Sequence, residues 1–470
     1  MLFNSLEFLL FIAVFCSLFK FSHEKHKINL FLIGSYLFYA AWEWKYLGLI
    51  LISTIVDYKV TLNIEKSKED AHRKRLLILS LMINLGILCI FKYFNFFSTS
   101  FFQFLSLFGL NSKPYLLKLL LPVGISFYTF QSMSYTIDVY KKQRKACQNF
   151  GLFAAYVAYF PQLVAGPIER SDRLIPQLLT AQKPSIKSLE DGLHLIVIGF
   201  FKKVVIADRL AIYVDNVFSN PNSYNNWALL IASYFFSIQI YCDFSGYTDI
   251  ARGISRLFNV DLMKNFSHPY FAKDIKDFWS RWHISLTTWF RDYLYIPLGG
   301  NKKGKFRTLL NIFIVFLVSA LWHGANWTFI IWGLIHFLLY FGHSFVAKLK
   351  VPIPRLIKVF LLFNAVTLAW IFFRSDSLTQ AVDIIARIFS GYDFQLSAFA
   401  NALTPFTRTS LAASKFIVSI GLIFLLLILD LKEAKLIRLP FNKNWQYAII
   451  ILVILTLGEF GENNFIYFQF

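Results

Sequence analysis

Two histidines stand where an imidazole could carry out acid–base chemistry within an apolar sequence. His323 ends an apolar run, in LWHGANW at 321–327, and His283 lies in FWSRWHIS at 278–285. A neutral imidazole is tolerated in a membrane, and its proton affinity suits general base catalysis near neutral pH. A polar ring at His323 needs a partner or a water-filled site, and Gly324 beside it lets a ligand come close. Spacing alone leaves a structural role open for His323 and an interfacial role open for His283.

A third candidate is Asp243, which closes an apolar run in IYCDFSGY at 240–247. An ionised carboxylate at that position needs a partner. A structural or helix-end role is the alternative to a functional one. The other histidines have no strong context in the sequence; they are His23, His26, His72, His194, His268, His336 and His343.

The sequence contains no motif that would supply a nucleophile or hold a cofactor. It has no phosphate-binding glycine loop, no Gly-x-Ser-x-Gly elbow and no His-Glu-x-x-His zinc motif. The four cysteines have no paired spacing, so the disulfide and zinc interpretations are both weak. We therefore expect the substrate to supply the nucleophile, with no bound cofactor or metal.

The elements that position these residues are membrane spans. Of 470 residues, 57% are hydrophobic and 16% are charged, against roughly 25% charged in soluble domains. The apolar residues form long runs, which indicate membrane-spanning helices rather than the alternating strands of a barrel. The net charge of +20 could indicate nucleic acid binding, but the basic residues cluster in short loops, as the positive-inside rule predicts for cytoplasmic loops.

The basic loops predict a polytopic all-α protein with about 12 spans and both termini outside. The first run lacks a basic segment before it and a small-residue cleavage site after it, so we expect a retained span rather than a signal peptide. The predicted spans are 2–19, 28–43, 46–63, 76–98, 116–140, 192–216, 227–245, 308–322, 326–347, 356–373, 414–430 and 445–462.

Two regions depart from this pattern. Residues 150–168 contain FPQLVAGP, whose prolines and glycine break a regular helix. They predict a re-entrant segment with both ends cytoplasmic, and a kinked ordinary span is the alternative. Residues 246–307 are only weakly hydrophobic, and from Phe271 to Tyr293 their apolar positions follow a helical stripe. They predict an amphipathic helix at the membrane surface or in a funnel, ended by Pro297. Residues 1–470 are expected to form a single transmembrane domain.

Four segments, taken in order, resemble the membrane-bound O-acyltransferase (MBOAT) superfamily. They are FPQLVAGPI at 160–168, DFSGY at 243–247, FWSRWHISL at 278–286 with WFRDYLYIPLGGN at 289–301, and LWHG at 321–324. The similarity is to the branch of alginate and peptidoglycan O-acetyltransferases, with the D-alanyl transferase of teichoic acid synthesis as a cousin. Order and spacing match over about 120–340, and the span pattern matches nearly the whole chain.

The resemblance implies that His323 is the catalytic histidine and His283 a supporting one. It implies transfer of an acetyl group from a cytoplasmic thioester, acetyl-CoA or a carrier, across the bacterial cytoplasmic membrane. A periplasmic esterase-like partner transferase would then modify a cell-envelope polysaccharide. Candidate donor- or substrate-binding residues are Asp243, Arg281, Trp282, Lys305 and Arg307.

Alternatives of other classes stay open at this point. The basic residues at 302–307 could meet the phosphates of CoA or could serve only as an orientation signal. D-alanyl transfer from a carrier protein is a second activity within the same family. A transporter or flippase for an envelope precursor would be expected to show inverted repeats and charged midplane residues, and the sequence shows no repeat and few such charges.

Overall fold

The computed structural model describes residues 1, 3–110, 112–164, 166–346, 352–407, 411–438, 443–461 and 465–466. Within these ranges the chain is helical and contains no β-strand. The fold class predicted from the sequence is therefore confirmed. Ala165 of the FPQLVAGPI motif and residues 347–351 of a predicted basic loop lie outside the described ranges. The chain divides into two compact units, Met1–Ile196 with Ala251–Lys264, and Val197–Ile250 with Asn265–Phe470.

In the described part of the chain, the first unit contains the helices α1 to α10, and the end of α10 belongs to the second unit. They are α1 Leu6–Phe21, α2 Glu24–Glu43, α3 Leu47–Lys66, α4 Asp70–Leu88, α5 Phe94–Ser106, α6 Ile125–Tyr140, α7 Phe150–Ala158, α8 Phe160–Leu163, α9 Ser171–Leu179 and α10 Ile186–Phe200.

The second unit holds the remaining helices, and the end of α12 belongs to the first. They are α11 Asp208–Ser219, α12 Asn226–Arg256, α13 Ile275–Arg281, α14 Ile284–Phe290, α15 Gly304–His323, α16 Trp327–Val346, α17 Arg355–Arg374, α18 Leu378–Ile388, α19 Leu396–Ala402, α20 Ala412–Glu433 and α21 Lys443–Leu457. A π-helical turn, Phe201–Ala207, joins α10 to α11, and another, Arg291–Tyr295, extends α14.

Among the residues that the structure describes, seven helical stretches are long and apolar enough to cross a membrane. They are Glu24–Lys66, Asp70–Ser106, Asn226–Arg256, Gly304–His323, Trp327–Phe345, Arg355–Arg374 and Ala412–Glu433. The first two, at 43 and 37 residues, are longer than the roughly 20 residues that one crossing needs. The predicted number of about 12 spans stays a prediction.

The first unit is held together by a buried carboxylate as well as by apolar packing. Asp57 on α3 accepts hydrogen bonds from Ser80 at 2.5 Å and Asn84 at 3.0 Å, both on α4, and from Ser132 on α6. Satisfied polar groups of this kind fix the mutual positions of three helices in an apolar surround, because an unpaired carboxylate there would be costly.

The segment around FPQLVAGP is broken into short helices, as its prolines predict. α7 has 9 residues and α8 has 4, so α7 is about 14 Å long and too short to cross a membrane. Both helices are buried. A single kinked span over these residues is therefore disfavoured, while the cytoplasmic location of both ends stays a prediction.

The predicted continuous amphipathic helix from Phe271 to Tyr293 is wrong. The structure breaks it at Trp282 and His283, so that α13 and α14 have seven residues each. The break takes two residues: Trp282 is extended, and His283 has a left-handed φ of 43°. The apolar periodicity of the sequence continues through the break because both short helices, α13 and α14, bury one face.

Candidate active site

His323 is the last residue of α15, in the helical hairpin that α15 forms with α16. Its side chain is buried. Gly324 follows it, and a Cβ built at Gly324 would lie 2.0 Å from the ring of Phe329. The chain therefore needs glycine here, because Phe329 closes the turn directly against the backbone.

His283 is held in the break between α13 and α14. A positive φ costs energy for a residue with a side chain, and such residues gather at functional sites. The neighbouring backbone is tied down, since Ile284 N–H donates to Asn265 O at 2.9 Å. His283 is completely buried, and burial lowers its pKa to about 3. The ring is therefore neutral at physiological pH.

The structure brings the two predicted histidines together in an aromatic surround. Their ring centroids are 6.3 Å apart, and Trp322 contacts both rings, at 5.0 Å from His323 and 5.7 Å from His283. Phe244 packs edge-on against His283 at 4.6 Å. Trp332 and Phe373 complete the wall around His323, at 5.1 and 5.4 Å. Such a site excludes bulk water, which strengthens electrostatic interactions inside it.

A third histidine, His336 on α16, belongs to the same aromatic cluster and was not singled out from the sequence. Its ring is 4.7 Å from Trp332 and 5.0 Å from Trp279. It is fully buried, and neither ring nitrogen has a hydrogen-bonding partner among the described residues. Trp279 lies far away in sequence, so no local pattern could have placed His336 in the cluster.

Asp243 is part of a buried ionic cluster rather than a wall of the histidine site. Its carboxylate pairs with Lys203 Nζ at 2.7 Å and accepts a hydrogen bond from Ile466 N–H at 2.7 Å. Lys203 also pairs with Asp208 at 2.8 Å. Asp243 nevertheless fixes the position of Phe244, the next residue, which contacts His283.

Lys202 and Lys203 are two charged residues inside the predicted span 192–216. Both are buried within the π-helical turn Phe201–Ala207. Lys202 Nζ pairs with Asp249 at 2.9 Å. Asp208 lies close to Lys203 in the sequence, but the carboxylates on α12 that pair with the two lysines, Asp249 and Asp243, are distant in sequence, so their burial could not be predicted.

Arg281 and Trp282 precede His283 and hold it in place. Arg281 Nε pairs with Asp277 at 2.6 Å, and its Nη1 donates to Ser267 O at 3.2 Å. Trp282 is fully buried, stacked on Phe278 at 5.5 Å and tilted against Trp370 at 5.0 Å.

Lys305 and Arg307 are exposed at the opposite end of α15 from His323. The turn before α15 depends on glycines with positive φ, Gly299, Gly300 and Gly304. The side chain of Asn311 fixes this turn by donating to Gly300 O at 2.9 Å. Because α15 has 20 residues, its basic start and its histidine end are about 30 Å apart.

An apolar cavity of about 220 Å³ lies along α15 between these two ends. Ile312, Val315, Phe316 and Ser319 form its α15 wall, and Ser319 lies one turn before His323. The opposite wall comes from α14 and its extension, with Arg291 and Tyr295 as the polar members. The remaining lining residues are Trp279, Leu286, Thr287, Phe290 and Tyr340.

The profile of the MBOAT, membrane-bound O-acyltransferase family, matches residues 28–354, which is more than half of the chain. The chain belongs to this family. It is an O-acyltransferase and a multi-pass protein of the bacterial cytoplasmic membrane, as the sequence predicted.

Curated relatives are similar over most of their length. The chain is 39% identical to the probable alginate O-acetylase AlgI of Pseudomonas putida over 409 residues, covering 86% of this chain and 83% of the relative. It is 37% identical to the peptidoglycan O-acetyltransferase of Helicobacter pylori over 385 residues, covering 75% and 72%. The teichoic acid D-alanyltransferase of Bacillus subtilis is 30% identical over 237 residues, covering 48% and 60%.

Proposed function

We propose that this acyltransferase moves an acetyl group from a cytoplasmic thioester, acetyl-CoA, across the membrane for O-acetylation of a cell-envelope polysaccharide of the alginate or peptidoglycan kind. A periplasmic esterase-like transferase would take the acetyl group and complete the modification. The observation that carries the proposal is the buried pair His323 and His283, 6.3 Å apart between ring centroids in a site walled by aromatic side chains.

In this mechanism His323 is the general base. The acceptor hydroxyl attacks the thioester carbonyl carbon, the O–C bond forms, and His323 takes the hydroxyl proton directly or through one water. The tetrahedral intermediate collapses with loss of the CoA thiolate, which the protonated His323 neutralises. The neutral His283 can donate one N–H to the developing oxyanion. The break that orients His283 is held by Arg281 and Trp282, which we therefore regard as positioning residues.

The apolar cavity beside α15 supports an acyl donor with a long arm. It lies along α15 between the basic turn, defined here as residues 302–307, and His323, and its lining residue Ser319 is one helical turn from His323. Lys302, Lys303, Lys305 and Arg307 are exposed at its cytoplasmic end on the predicted topology, where the phosphates of CoA would need cations.

The test encloses labelled acetyl-CoA in proteoliposomes and supplies acceptor and partner transferase outside. We expect label to appear outside, with equimolar CoA inside. His323→Gln should lower this rate by roughly 10²- to 10⁴-fold, the usual contribution of a general base. His343→Gln, at a half-buried position near the end of α16, is the matched control and should retain activity.

Near wild-type transfer by His323→Gln at equal protein level would refute the assignment of the base. D-alanyl transfer is the second candidate, because of the similarity to the teichoic acid enzyme. It predicts turnover with a D-alanyl carrier protein and none with acetyl-CoA.

A further inference from the structure

A second cavity lies at the start of the spanning helix α12, in the unit that holds the histidine pair. Its volume is about 370 Å³, and polar residues dominate its lining. The turn before α12 and the chain around α19 form it together. The lining residues are Asn225, Asn226, Trp227, Gly391, Asp393, Ser397, Ala398 and Asn401.

This cavity lies toward the histidine end of α15, away from the basic turn. Asn326, three residues after His323, donates to Asp376 O at 3.0 Å just before α18 begins. At the far end of α18, Arg387 donates to Pro221 O at 3.0 Å, next to the turn that precedes α12. Eleven residues of α18 span about 16 Å. The cavity is therefore roughly that distance from the turn at His323, and on the predicted topology it faces the periplasm.

The walls of the cavity are held in place by their own hydrogen bonds. Asn225 Nδ2 donates to Ala398 O at 2.7 Å, Asn226 Nδ2 to Gly391 O at 2.9 Å, and Trp227 Nε1 to Asp393 O at 2.8 Å. The indole of Trp227 is further fixed by Tyr392 at 4.6 Å. A ligand entering such a site does not need to order these groups, which favours binding.

The lining has the chemistry that a sugar ring requires. The half-buried indole of Trp227 contributes apolar surface to the lining. The amide of Asn401, the hydroxyl of Ser397 and the carboxylate of Asp393 offer both donors and acceptors at the edge. A pyranose presents C–H groups on its face and hydroxyl or amide groups around its rim, so the two sets of groups match.

The charge of the lining restricts which sugar fits. Asp393 is the one charged residue in the lining, and it is acidic. A uronate would bring a second carboxylate close to it, whereas an N-acetylated amino sugar is neutral and its amide can pair with an asparagine side chain. At about 4 Å in water, the repulsion between two like charges corresponds to about a fivefold loss of affinity, and more in a partly buried site.

We propose that this cavity is an acceptor subsite for a neutral, N-acetylated sugar unit of the envelope polysaccharide. The inference rests on the proposed function, because it assigns the class of polysaccharide to that acyl transfer. The distance from His323 means that the bound sugar is not the one that reacts. It would instead hold a long chain while another unit, or the partner transferase that serves it, receives the acetyl group.

The test measures saccharide binding without turnover. The full chain with the substitution His323→Gln is inserted into nanodiscs, and binding is measured by calorimetry. The probes are a four-unit N-acetylglucosamine oligomer and a four-unit mannuronate oligomer. We expect the first to bind at least fivefold more tightly. Asp393→Asn should narrow that difference, because it removes the repelling charge.

A second variant fills the cavity. Asn401→Trp should weaken binding of the N-acetylglucosamine oligomer at least tenfold, since Asn401 lines the cavity and a larger side chain there would occupy part of its volume. Asn222→Trp places the same substitution on an exposed asparagine of the neighbouring turn, outside the lining, and should leave binding unchanged.

The proposal fails if the N-acetylglucosamine oligomer does not bind, if mannuronate binds more tightly, or if Asn401→Trp behaves like Asn222→Trp. It also fails if Asn401→Trp leaves saccharide binding intact but prevents association with the partner transferase, which would identify a protein-docking site. Each result is independent of whether His323 is the base, because the binding measurement contains no acetyl donor and the base is tested separately.

Discussion

The close approach of Phe329 to Gly324 predicts that one added methyl group will disturb the active site. In Gly324→Ala the new Cβ would lie 2.0, 2.4 and 2.6 Å from three ring atoms of Phe329. The ring cannot simply turn away, because it is 5% exposed and packs on Phe373 at 4.8 Å. Phe373 in turn contacts His323. The displacement should therefore reach the base.

The magnitude follows from overpacking. Extra methyl groups in a packed core typically cost about 1–3 kcal/mol. We expect Gly324→Ala to lose that much free energy of unfolding. A displacement of about 1 Å at a catalytic group can lower the rate by about 100-fold, so transfer should fall by up to that factor.

The assay is a double-mutant cycle with Phe329→Leu, which removes the ring atoms that the methyl group meets. Free energies of unfolding come from SDS titration, and transfer rates from the proteoliposome assay. The two changes should be less than additive by about 1–2 kcal/mol, and the double variant should recover at least tenfold in rate over Gly324→Ala. Gly342→Ala, on α16 with no atom within 4 Å of the new Cβ, is the matched control and should be neutral.

Strict additivity of the two substitutions would show that Phe329 does not transmit the effect. If Gly324→Ala matched Gly342→Ala in both stability and rate, the reasoning from the close approach would be refuted.

Three further predictions concern charged groups. Lys203→Met should lower the free energy of unfolding by about 3–5 kcal/mol, because two buried carboxylates lose their shared cation. Adding Asp243→Asn should restore part of the lost stability. Full stability of Lys203→Met in thermal unfolding would contradict this. Glu169 is fully buried beside Met263 N–H, and burial raises its pKa from 4.5 to about 7. Protonated Glu169 therefore favours folding, and stability should decline by up to about 3 kcal/mol as pH rises from about 4.5 through 7; Glu169→Gln should flatten that profile, and an unchanged slope would count against it. Neutralising the basic turn should raise the KM for acetyl-CoA by tenfold or more with little change in kcat, in initial-rate measurements. The substituted residues of the basic turn are Lys302, Lys303, Lys305 and Arg307. The control neutralises exposed cations at the end of α3 and the start of α4, which are Lys66, Lys68, Lys74 and Arg75. An equal rise in KM in the control would show a general charge effect.

The sequence allowed much of the candidate site to be predicted, because its histidines occur at breaks in apolar runs. His323 was recognisable at the end of a span, and its proximity to His283 followed from the family resemblance. The apolar runs and the prolines at 160–168 predicted the helical fold and the short helices α7 and α8. These features depend on local composition, which a sequence displays directly.

The features of the site that could not be predicted depend on contacts between residues distant in sequence, or on the backbone conformation of individual residues. His336 joins the aromatic cluster through Trp279, which precedes it by more than fifty residues. The break between α13 and α14 comes from an extended Trp282 and a left-handed His283 within an uninterrupted amphipathic pattern. The burial of Lys202 and Lys203 also depends on distant residues, because Asp249 and Asp243 on α12 pair with them and only Asp208 lies nearby in the sequence.

The π-helical turn that carries those lysines also constrains how the gene can change. A π-helical turn holds one residue more than an α-helical turn, so a single codon could be deleted between 201 and 207 while α10 and α11 keep their relative phase. The backbone would tolerate that deletion. The loss of either lysine would leave Asp249, or Asp208 with Asp243, as unneutralised charge in an apolar surround. Related sequences in which such a deletion has removed one of the two lysines should therefore also have replaced the carboxylate that pairs with it.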